Sequence, residues 1–303
     1  MLPKPPPREG ALGYLYIPPF RVQGFSVAGE ATVVQAPELG VCFDMGFCPR
    51  TALASKHVAV SHGHMDHIGG LAYYCSQRVF QGMGPGTLIC DVRIAPAIKR
   101  MMDGYIDLEQ QVTPYELIAL EPEQEIEIKN NVILRAFPVD HGTPAFGYSI
   151  IEKRSKLREE YLGMPQEKLR DLKSRGVEIT RILDIPLMAY LGDTAPGPQL
   201  VREDVRTARI IVSECTFFDT EHRERARIGN HLHVEDIGEW LPVTECDALV
   251  LIHVSRRTSM AQARRRLVEV VGAERAGRVQ FLMDHRTNRA RYEKQCADVA
   301  PDG

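Results

Sequence analysis

The segment VSHGHMDHIGG, residues 60–70, places three histidines and one aspartate within six positions, directly after the apolar run Val58–Val60. A short apolar run of this kind predicts a buried strand, and the strand would present the turn that follows it. Imidazole and carboxylate groups are ligands of zinc-type cations. The spacing therefore restricts the chain to folds in which the turn at the end of this strand lies close to ligands from other segments and forms a metal centre with them.

Further apolar runs end in residues of the same chemical types. Ligands bind beyond the carboxyl ends of strands in open α/β sheets, so we expect these side chains to converge on one edge. There are more of them than one tetrahedral site uses, which predicts two ions that together clamp a phosphoryl transfer. The residues that follow these runs are Asp140, His141, Asp193, Glu214 and His253.

The pattern of the remaining chain predicts a layered α/β sandwich. ATVVQA and GVCFDMG, within residues 31–46, indicate a hairpin, and residues 124–139 indicate another around Asn130 and Asn131, which tolerate a tight turn. The run MAQARRRLVEVVG has apolar residues at helical spacing and a glycine stop at Gly272. Mixed strands and helices over this length favour a layered α/β architecture.

We expect a flexible Pro-rich leader over residues 1–10, one folded domain over residues 11–290 and a tail over residues 291–303. Residues 152–181 are charged, helical in propensity and poor in core residues. We expect them to form an insertion that stands off the main body.

Composition narrows the functional classes. The seven cysteines are odd in number and scattered, which predicts reduced thiols and a cytoplasmic location. We expect no membrane span and no signal peptide, because the apolar stretches are short and the leader lacks an apolar core. The net charge of −3 gives no global attraction to nucleic acid, so any RNA contact needs a local basic patch.

The segment SHGHMDHIGGL resembles the signature of the metallo-β-lactamase superfamily. Taken together, further segments resemble the ribonuclease Z family of tRNA 3′-processing endonucleases, most closely its short plant-type form. The resemblance implies an αββα sandwich, two zinc ions with manganese as an alternative, and a homodimer. In family order within residues 24–282, the segments are FDMGFCPR, EEYLGMPQEKLRDLKSRGVEIT, LGDT, SECTFFD, NHLHVEDI, LIHVSRRT and GRVQFL.

The resemblance also implies roles for individual residues. One zinc would be held by His62, His64 and His141, and the other by Asp66, His67 and His253, with Asp193 bridging them. Asp66 would also orient or deprotonate the attacking water. Glu214 and His231 match the acid–imidazole pair that donates a proton to the leaving 3′ oxygen, with His233 as the alternative imidazole.

The implied activity is a dizinc phosphodiesterase that removes 3′ trailers from precursor tRNA and leaves a 3′-hydroxyl. The insertion lies where the family places its tRNA-binding element. A local basic run is expected to contact the RNA there. Its residues are Lys168, Arg170, Lys173 and Arg175.

A small-molecule hydrolase of the same superfamily, acting on a cyclic nucleotide, thioester or lactone, is the main alternative. The near-neutral charge and the lack of the long Gly/Pro-rich arm of many bacterial members favour it. A redox di-iron module would replace one of the first two histidines with a carboxylate, and a non-catalytic binding protein would have lost ligands. Two positions depart from the family pattern, namely Asn230 in place of a glycine and Thr258 in place of an aromatic residue.

Overall fold

A computed structural model describes residues 2–299 of the chain. These residues form two seven-stranded mixed sheets packed face to face, with helices against the outer face of each sheet. The predicted α/β sandwich is confirmed as an αββα arrangement. Residue 1 of the expected leader and residues 300–303 of the expected tail lie outside the described residues.

The N-terminal part of the chain builds the first sheet. Its strands are β1 (Gly13–Ile17), β2 (Phe20–Val27), β3 (Ala31–Ala36), β4 (Val41–Phe43), β5 (His57–Ala59), β6 (Gly86–Asp91) and β7 (Tyr115–Leu120). They lie side by side in chain order, antiparallel from β1 to β4 and parallel from β4 to β7. The predicted pairing of residues 31–36 with the strand that begins at Val41 is confirmed.

The second sheet contains β8 (Glu125–Lys129), β9 (Val132–Pro138), β10 (Phe146–Leu157), β11 (Thr180–Tyr190), β12 (Ile210–Glu214), β13 (Ala248–Ile252) and β14 (Val279–Phe281). These strands also follow chain order, antiparallel from β8 to β11 and parallel from β11 to β14. The predicted hairpin turn between β8 and β9 is confirmed, and Asn131 adopts the positive φ of 60° that asparagine tolerates.

Helices cover the two outer faces. The α-helices of the described residues are α1 (Met65–Ile68), α2 (Leu71–Phe80), α3 (Ala95–Glu109), α4 (Gln166–Ser174), α5 (Glu203–Arg206), α6 (Arg223–Ile228), α7 (Val234–Trp240), α8 (Met260–Val271), α9 (Ala273–Ala276) and α10 (His285–Ala297), and of these α4 lies in the insertion, away from both faces. Helices α2 and α3 pack on the first sheet through Tyr74 and Met102, and α7 and α8 pack on the second through Trp240 and Leu267. Helix α8 ends at the predicted glycine, Gly272.

The core between the sheets fixes how they face each other. Phe43 of the first sheet stacks on Tyr190 of the second, with ring centroids 4.4 Å apart. Both rings are fully buried, and such stacking adds to the free energy gained by burial. The contact lies at the carboxyl ends of β4 and β11, so it brings together the two sheet edges where the predicted ligands lie.

The insertion at residues 152–181 is only partly helical, unlike the expectation. Its ends extend β10 and β11 into an antiparallel ribbon, in which Leu157 lies opposite Thr180. Isoleucine and threonine residues on the second strand favour the extended conformation, and cross-strand pairing outweighs the helical propensity of the charged residues. Only α4, near the tip, is an α-helix, and it has no buried residue.

Both ends of the described chain contact the domain. Lys4 pairs with Glu38 at 3.0 Å, and Glu9 accepts a hydrogen bond from the Arg50 backbone at 2.8 Å. Helix α10 runs across residue 290, where we expected the domain to end. The division into leader, domain and tail stays a prediction.

All seven cysteines are free thiols, in line with their spacing. Within residues 2–299, none of the helices has the length and apolar character that crossing a membrane requires.

Candidate metal centre and catalytic pair

The turn after β5 carries the first four predicted ligands and is held firmly in place. The Met45 backbone donates to the His67 carbonyl at 2.7 Å, and the Gly70 backbone donates to the Met45 carbonyl at 2.7 Å. Gly46 permits this close approach, because a Cβ there would lie 2.0 Å from the Asp66 carbonyl oxygen. Helix α1 is thus fixed against the end of β4, with its ligands directed toward the gap between the sheets.

The first predicted ligand set converges. His62 Nε2 lies 2.9 Å from His64 Nδ1, and His141 Nε2 lies 3.3 Å from the same atom. The three nitrogens are close enough to bind one ion, and nitrogen is a common zinc ligand. His141 comes from the loop after β9, so two sheet regions supply this set.

The second predicted set converges beside the first. Asp66 Oδ2 lies 3.8 Å from His67 Nε2 and 3.6 Å from His253 Nε2. Asp193 lies between the two sets, because its Oδ2 is 3.3–4.0 Å from the Nε2 atoms of His62, His67, His141 and His253. The structure thus brings together all seven residues that the sequence predicts as ligands.

Several buried polar atoms at this centre fit a cation. His67 Nε2, His253 Nε2 and Asp193 Oδ1 are buried and lack a hydrogen-bond partner. A buried polar atom without a partner is costly, and a metal ion would satisfy these atoms. The donor set contains nitrogen and oxygen atoms and no sulfur, which suits zinc and similar borderline cations.

The other ring nitrogen of each buried histidine is held by an outer partner. His67 Nδ1 donates to Asp44 at 2.8 Å, and His141 Nδ1 donates to the Asn230 carbonyl at 3.0 Å. His62 and His253 donate to hydroxyl oxygens, those of Ser61 and Thr216, each at 3.0 Å. These bonds place the proton on Nδ1 and leave Nε2 free as a ligand, which is how outer partners orient metal-binding histidines.

Asp44 is the outer residue that holds most of the centre, and sequence reasoning gave it no role. Its carboxylate accepts hydrogen bonds from the Ser61 backbone at 2.7 Å, the Ser61 hydroxyl at 2.8 Å, His67 and the Tyr190 hydroxyl at 2.6 Å. A usable signal was present, because an aspartate directly after the buried run Val41–Phe43 follows the same strand-end pattern as the ligands.

The backbone at two strand ends adopts unusual conformations. His253 has a φ of 59° and Asp44 a φ of 57°, in the left-handed region that few residues other than glycine occupy. Each such residue costs about 1–3 kcal/mol, and this strain commonly occurs at functional sites. The conformations turn both side chains inward at the point where each strand ends.

The ionisation of the ligands suits cation binding. Burial lowers the pKa of His62 and of His141, so both rings are neutral, which is the form that binds metal. Burial would raise the pKa of the Asp193 carboxyl, but the nearby His253 and His67 rings outweigh burial and hold that pKa well below its usual range. His62 and His141 thus offer neutral imidazoles beside the Asp193 carboxylate, whereas Asp193 and Asp44 outweigh burial and raise the pKa of His67.

Glu214 and His231 form a pair beside the ligand sets. Glu214 is fully buried and accepts hydrogen bonds from His231 Nδ1 at 2.8 Å and from the backbones of Thr194, Thr216 and Leu232 at 3.0–3.2 Å. Burial alone would lower the pKa of His231, but the Glu214 carboxylate outweighs burial and raises that pKa to about 9. His231 therefore carries a proton at neutral pH.

His233, the alternative imidazole, has a different place in the structure. It is buried, its Nδ1 accepts from the Glu235 backbone at the start of α7, and its Nε2 donates to the Asp219 carbonyl at 2.9 Å. Both ring nitrogens are thus occupied by a helix cap and a loop contact. His231 is the histidine of this segment that faces the cleft.

Thr216 connects this pair to the ligands. Its hydroxyl donates to Glu214 Oε2 at 2.7 Å and accepts from His253 Nδ1 at 3.0 Å. A continuous hydrogen-bonded chain therefore runs from His253 through Thr216 and Glu214 to His231. Sequence reasoning missed Thr216, because the contact joins the ends of two strands.

The two departures from the family pattern differ in how they can be explained. Asn230 has a φ of 52°, a conformation that asparagine tolerates better than most side chains, and its carbonyl holds His141. Asparagine can therefore replace glycine there. Thr258 is buried in a turn, and nothing in the structure explains the loss of an aromatic residue at this position.

The centre opens into a cleft of about 490 Å³, a size in the range of small-molecule and substrate sites. The predicted RNA-binding residues lie elsewhere. Lys168, Arg170 and Lys173 lie on α4 and Arg175 follows it, all are exposed, and none of them lines the cleft. The residues that line the cleft include His64, Asp66, Asp193, Phe217, His231, His253 and Arg257.

Comparison with known proteins adds independent information. The chain matches the family model described as beta-lactamase superfamily domain over residues 48–254. It is 31% identical over 246 residues to the protein named tRNase Z TRZ1 of Arabidopsis thaliana, a match that covers 80% of this chain and 88% of the relative. It is also 35% identical over 166 residues to a nuclear ribonuclease Z of Triticum aestivum, covering 55% of this chain and 94% of the relative.

Among solved structures, the short form of human tRNase Z is similar with a TM-score of 0.56. The similarity covers 89% of this chain and 95% of the human chain, at 15% sequence identity. At that identity the likeness shows a shared fold.

Replacing Asp44 with asparagine should weaken metal binding. An amide keeps the shape of the side chain but offers one acceptor oxygen to four donors, so His67 loses its fixed orientation. Loss of such an outer partner typically lowers metal affinity about 10–100-fold. Chelator competition on the folded variant measures this, with Asp103→Asn, at a half-exposed carboxylate on α3, as the control. Equal affinity in D44N and the unmodified protein would show that Asp44 does not support the ligands.

Proposed function

Because this chain belongs to the metallo-β-lactamase superfamily and, within it, to the ribonuclease Z family, we propose that it is a metal-dependent endoribonuclease that removes 3′ trailers from precursor tRNA and leaves a 3′-hydroxyl. One observation carries the proposal: the two convergent ligand sets and the Glu214–His231 pair open into the same cleft. A metal centre with an adjacent charged proton donor suits hydrolysis of a phosphodiester whose leaving group is a poor one.

We propose two zinc ions as the cofactor, with manganese as the alternative. One would be held by His62, His64 and His141, the other by Asp66, His67 and His253, with Asp193 shared. Support comes from the buried unpartnered atoms and from the position of Asp193 between the sets. When bound, such ions polarise the phosphate and activate water.

Asp66 is proposed to orient the attacking water and accept its proton. The carboxylate is half-buried, lines the cleft and is held by the Gly29 backbone, which donates to Oδ2 at 3.1 Å. Burial would raise the pKa of Asp66, but the nearby His253 and His67 rings outweigh burial and keep that pKa below its usual value. Asp66 is thus ionised and able to accept a hydrogen bond from water.

His231 is proposed to donate the proton to the leaving 3′ oxygen. Its Nδ1 is occupied by Glu214, which leaves Nε2 for the substrate. Glu214 fixes the orientation of the ring and keeps it charged, as a proton donor requires. An alkoxide leaving group benefits from this proton, whereas a nitrophenolate does not need it.

The insertion is proposed to bind the body of the tRNA. Helix α4 lies near the tip of a two-stranded ribbon and has no fully buried residue, and Lys168, Arg170 and Lys173 lie exposed on it. Basic side chains on an exposed element contact phosphates and release counterions. Since the ribbon continues β10 and β11 of the second sheet, its position relative to the cleft is set by that sheet.

We also propose a homodimer and a cytoplasmic location. Tyr73 and Tyr105 are exposed aromatic residues that flank a small apolar cleft between α2 and α3, and Leu108 is exposed one turn further on. An exposed apolar patch of this kind is a common site of protein association. The Triticum aestivum relative is named as a nuclear protein, so the cytoplasmic proposal does not rest on the relatives. It rests on the free cysteines of this chain.

Asp193→Ala should lower the content of both ions, because the carboxylate lies within 4.0 Å of histidines from both sets. Elemental analysis of the purified protein is expected to give about two zinc-type ions per chain, and less than one in the variant. The neighbouring exposed Asp140→Ala is the matched control and should keep its metal. Full metal content in D193A would exclude the shared position.

His231→Ala should retain metal but lose about 10²–10⁴-fold in kcat on 3′-extended tRNA. Hydrolysis of bis-p-nitrophenyl phosphate should be far less affected. A donor with a raised pKa is active below that pKa, so activity of the unmodified enzyme falls as pH rises through it. Glu214→Gln removes the charge that raises the pKa, so the alkaline limb of kcat should move to lower pH. Equal losses on both substrates, or an unmoved limb, would contradict proton donation.

Replacing Lys168, Arg170, Lys173 and Arg175 with alanine should weaken tRNA cleavage mainly through KM. Each lost phosphate contact should reduce the slope of log affinity against log salt by about 0.7–0.9. A matched control removes the exposed Arg100, Arg286, Arg289 and Lys294 and should leave the slope unchanged. If small-ester hydrolysis fell equally, the insertion would have a structural role. If the unmodified protein cleaved only the small ester, the small-molecule hydrolase would be the correct function.

A further inference from the structure

Phe217 is an aromatic residue that lines the metal cleft. It is neither a proposed metal ligand nor part of the proton-donating pair, so it has no role so far. It follows Glu214 by three residues, is only partly buried and lines the cleft together with His231 and Arg257. Its neighbour Phe218 is fully buried and packs against Phe281, with ring centroids 5.7 Å apart. Of the two adjacent phenylalanines, the core therefore uses Phe218 and leaves Phe217 at the cleft.

The position of Phe217 is fixed on both sides of its backbone. Its carbonyl accepts from the Val234 backbone at 2.9 Å, and its N–H donates to the Leu232 carbonyl at 3.4 Å. The ring contacts His222 and His231 edge to face, with centroids 5.9 Å and 6.1 Å away. A partly exposed aromatic ring held this firmly in a polar cleft is a suitable platform for a flat ligand.

The contact with His231 indicates which part of the substrate lies next to the ring. In the proposed hydrolysis, water oxygen joins the phosphorus, the bond between phosphorus and the 3′ oxygen breaks, and His231 gives that oxygen its proton. The trailer keeps the phosphate, and the leaving oxygen belongs to the last nucleotide of the mature tRNA. The ribose of that nucleotide must therefore lie beside His231, with its base near Phe217.

We propose that Phe217 stacks on the base of the last nucleotide of the mature tRNA and positions the scissile bond. This inference rests on the proposed function and assigns one nucleotide of the substrate to one side chain. Stacking on an aromatic ring accepts every base, because each base has a π face. The site would therefore recognise the presence of a base there and not its identity.

The test uses the full-length, metal-loaded protein and three 3′-extended tRNAs. One is intact, one has an abasic residue immediately 5′ of the cut, and one has an abasic residue immediately 3′ of the cut. The proteins are the unmodified enzyme, Phe217→Leu, Phe217→Trp and the control Phe80→Leu, which replaces an 83% exposed ring at the end of α2. The measurement is kcat/KM for each pair, together with the thermal midpoint of each protein.

On the intact RNA, F217L should lose about 5- to 150-fold in kcat/KM, the range that corresponds to stacking of one base on an aromatic side chain. F217W should restore most of this loss, and F80L should cleave as the unmodified protein does. The abasic residue 5′ of the cut should cost the unmodified enzyme a similar factor but cost F217L little more. For the RNA with the abasic residue 3′ of the cut, the loss in kcat/KM caused by F217L and the loss caused by the abasic residue should multiply, because the two groups do not contact each other.

The inference would be overturned if the factors in kcat/KM lost through F217L and through the abasic residue 5′ of the cut multiplied. It would also be overturned if the two effects were non-multiplicative only for the abasic residue 3′ of the cut. It would also be overturned by an F217L variant whose loss on intact RNA matches a lowered thermal midpoint and is not restored by tryptophan. If the unmodified protein leaves intact 3′-extended tRNA uncut while the small ester is hydrolysed, the proposed function fails and this inference fails with it.

Discussion

The carboxylate of Asp44 has no contact with water, and four donors from different parts of the fold converge on it. A buried charge is tolerated only when such bonds are complete. Ser61 and His67 reach it from the turn after β5, and Tyr190 reaches it from β11 of the other sheet. The same bonds that satisfy the charge therefore hold the two sheets in register at the edge where the ligands meet, so packing and metal geometry depend on one group.

Local patterns in the sequence predicted the features that depend on residues close together in the chain, namely the strand ends and the side chains that follow them. Apolar runs that end in His, Asp or Glu marked the strand ends, and the seven candidate ligands lie together because those ends share one edge. The outer contacts of Asp44 and Thr216 were missed because they join strands far apart in the chain. The two ends of the insertion, residues 152–157 and 180–181, were expected to be helical, since the charged residues have helical propensity and only the partner strand favours extension. The ligand and RNA-binding roles stay predictions.

Stability and function are in tension at this edge. Asp44 and His253 both adopt left-handed backbone conformations, and three polar atoms of the ligands are buried without partners. Each of these features disfavours the folded state, and the surrounding hydrogen bonds offset the cost by holding the strained residues in place. A cation that binds only the folded chain would add to the free energy of unfolding by mass action. The fold and its cofactor are thus expected to stabilise each other.

The hydrogen-bonded chain from His253 through Thr216 and Glu214 to His231 links two tasks that belong to different stages of the reaction. Groups in one network respond to substitution as a unit, so the effects of two changes within it do not add. A substitution at one end of the chain is therefore expected to change the effect of a substitution at the other end. The threonine in the middle, which lines the cleft without being one of the proposed ligands, thereby makes the tolerance of one end of the site to substitution depend on the other end.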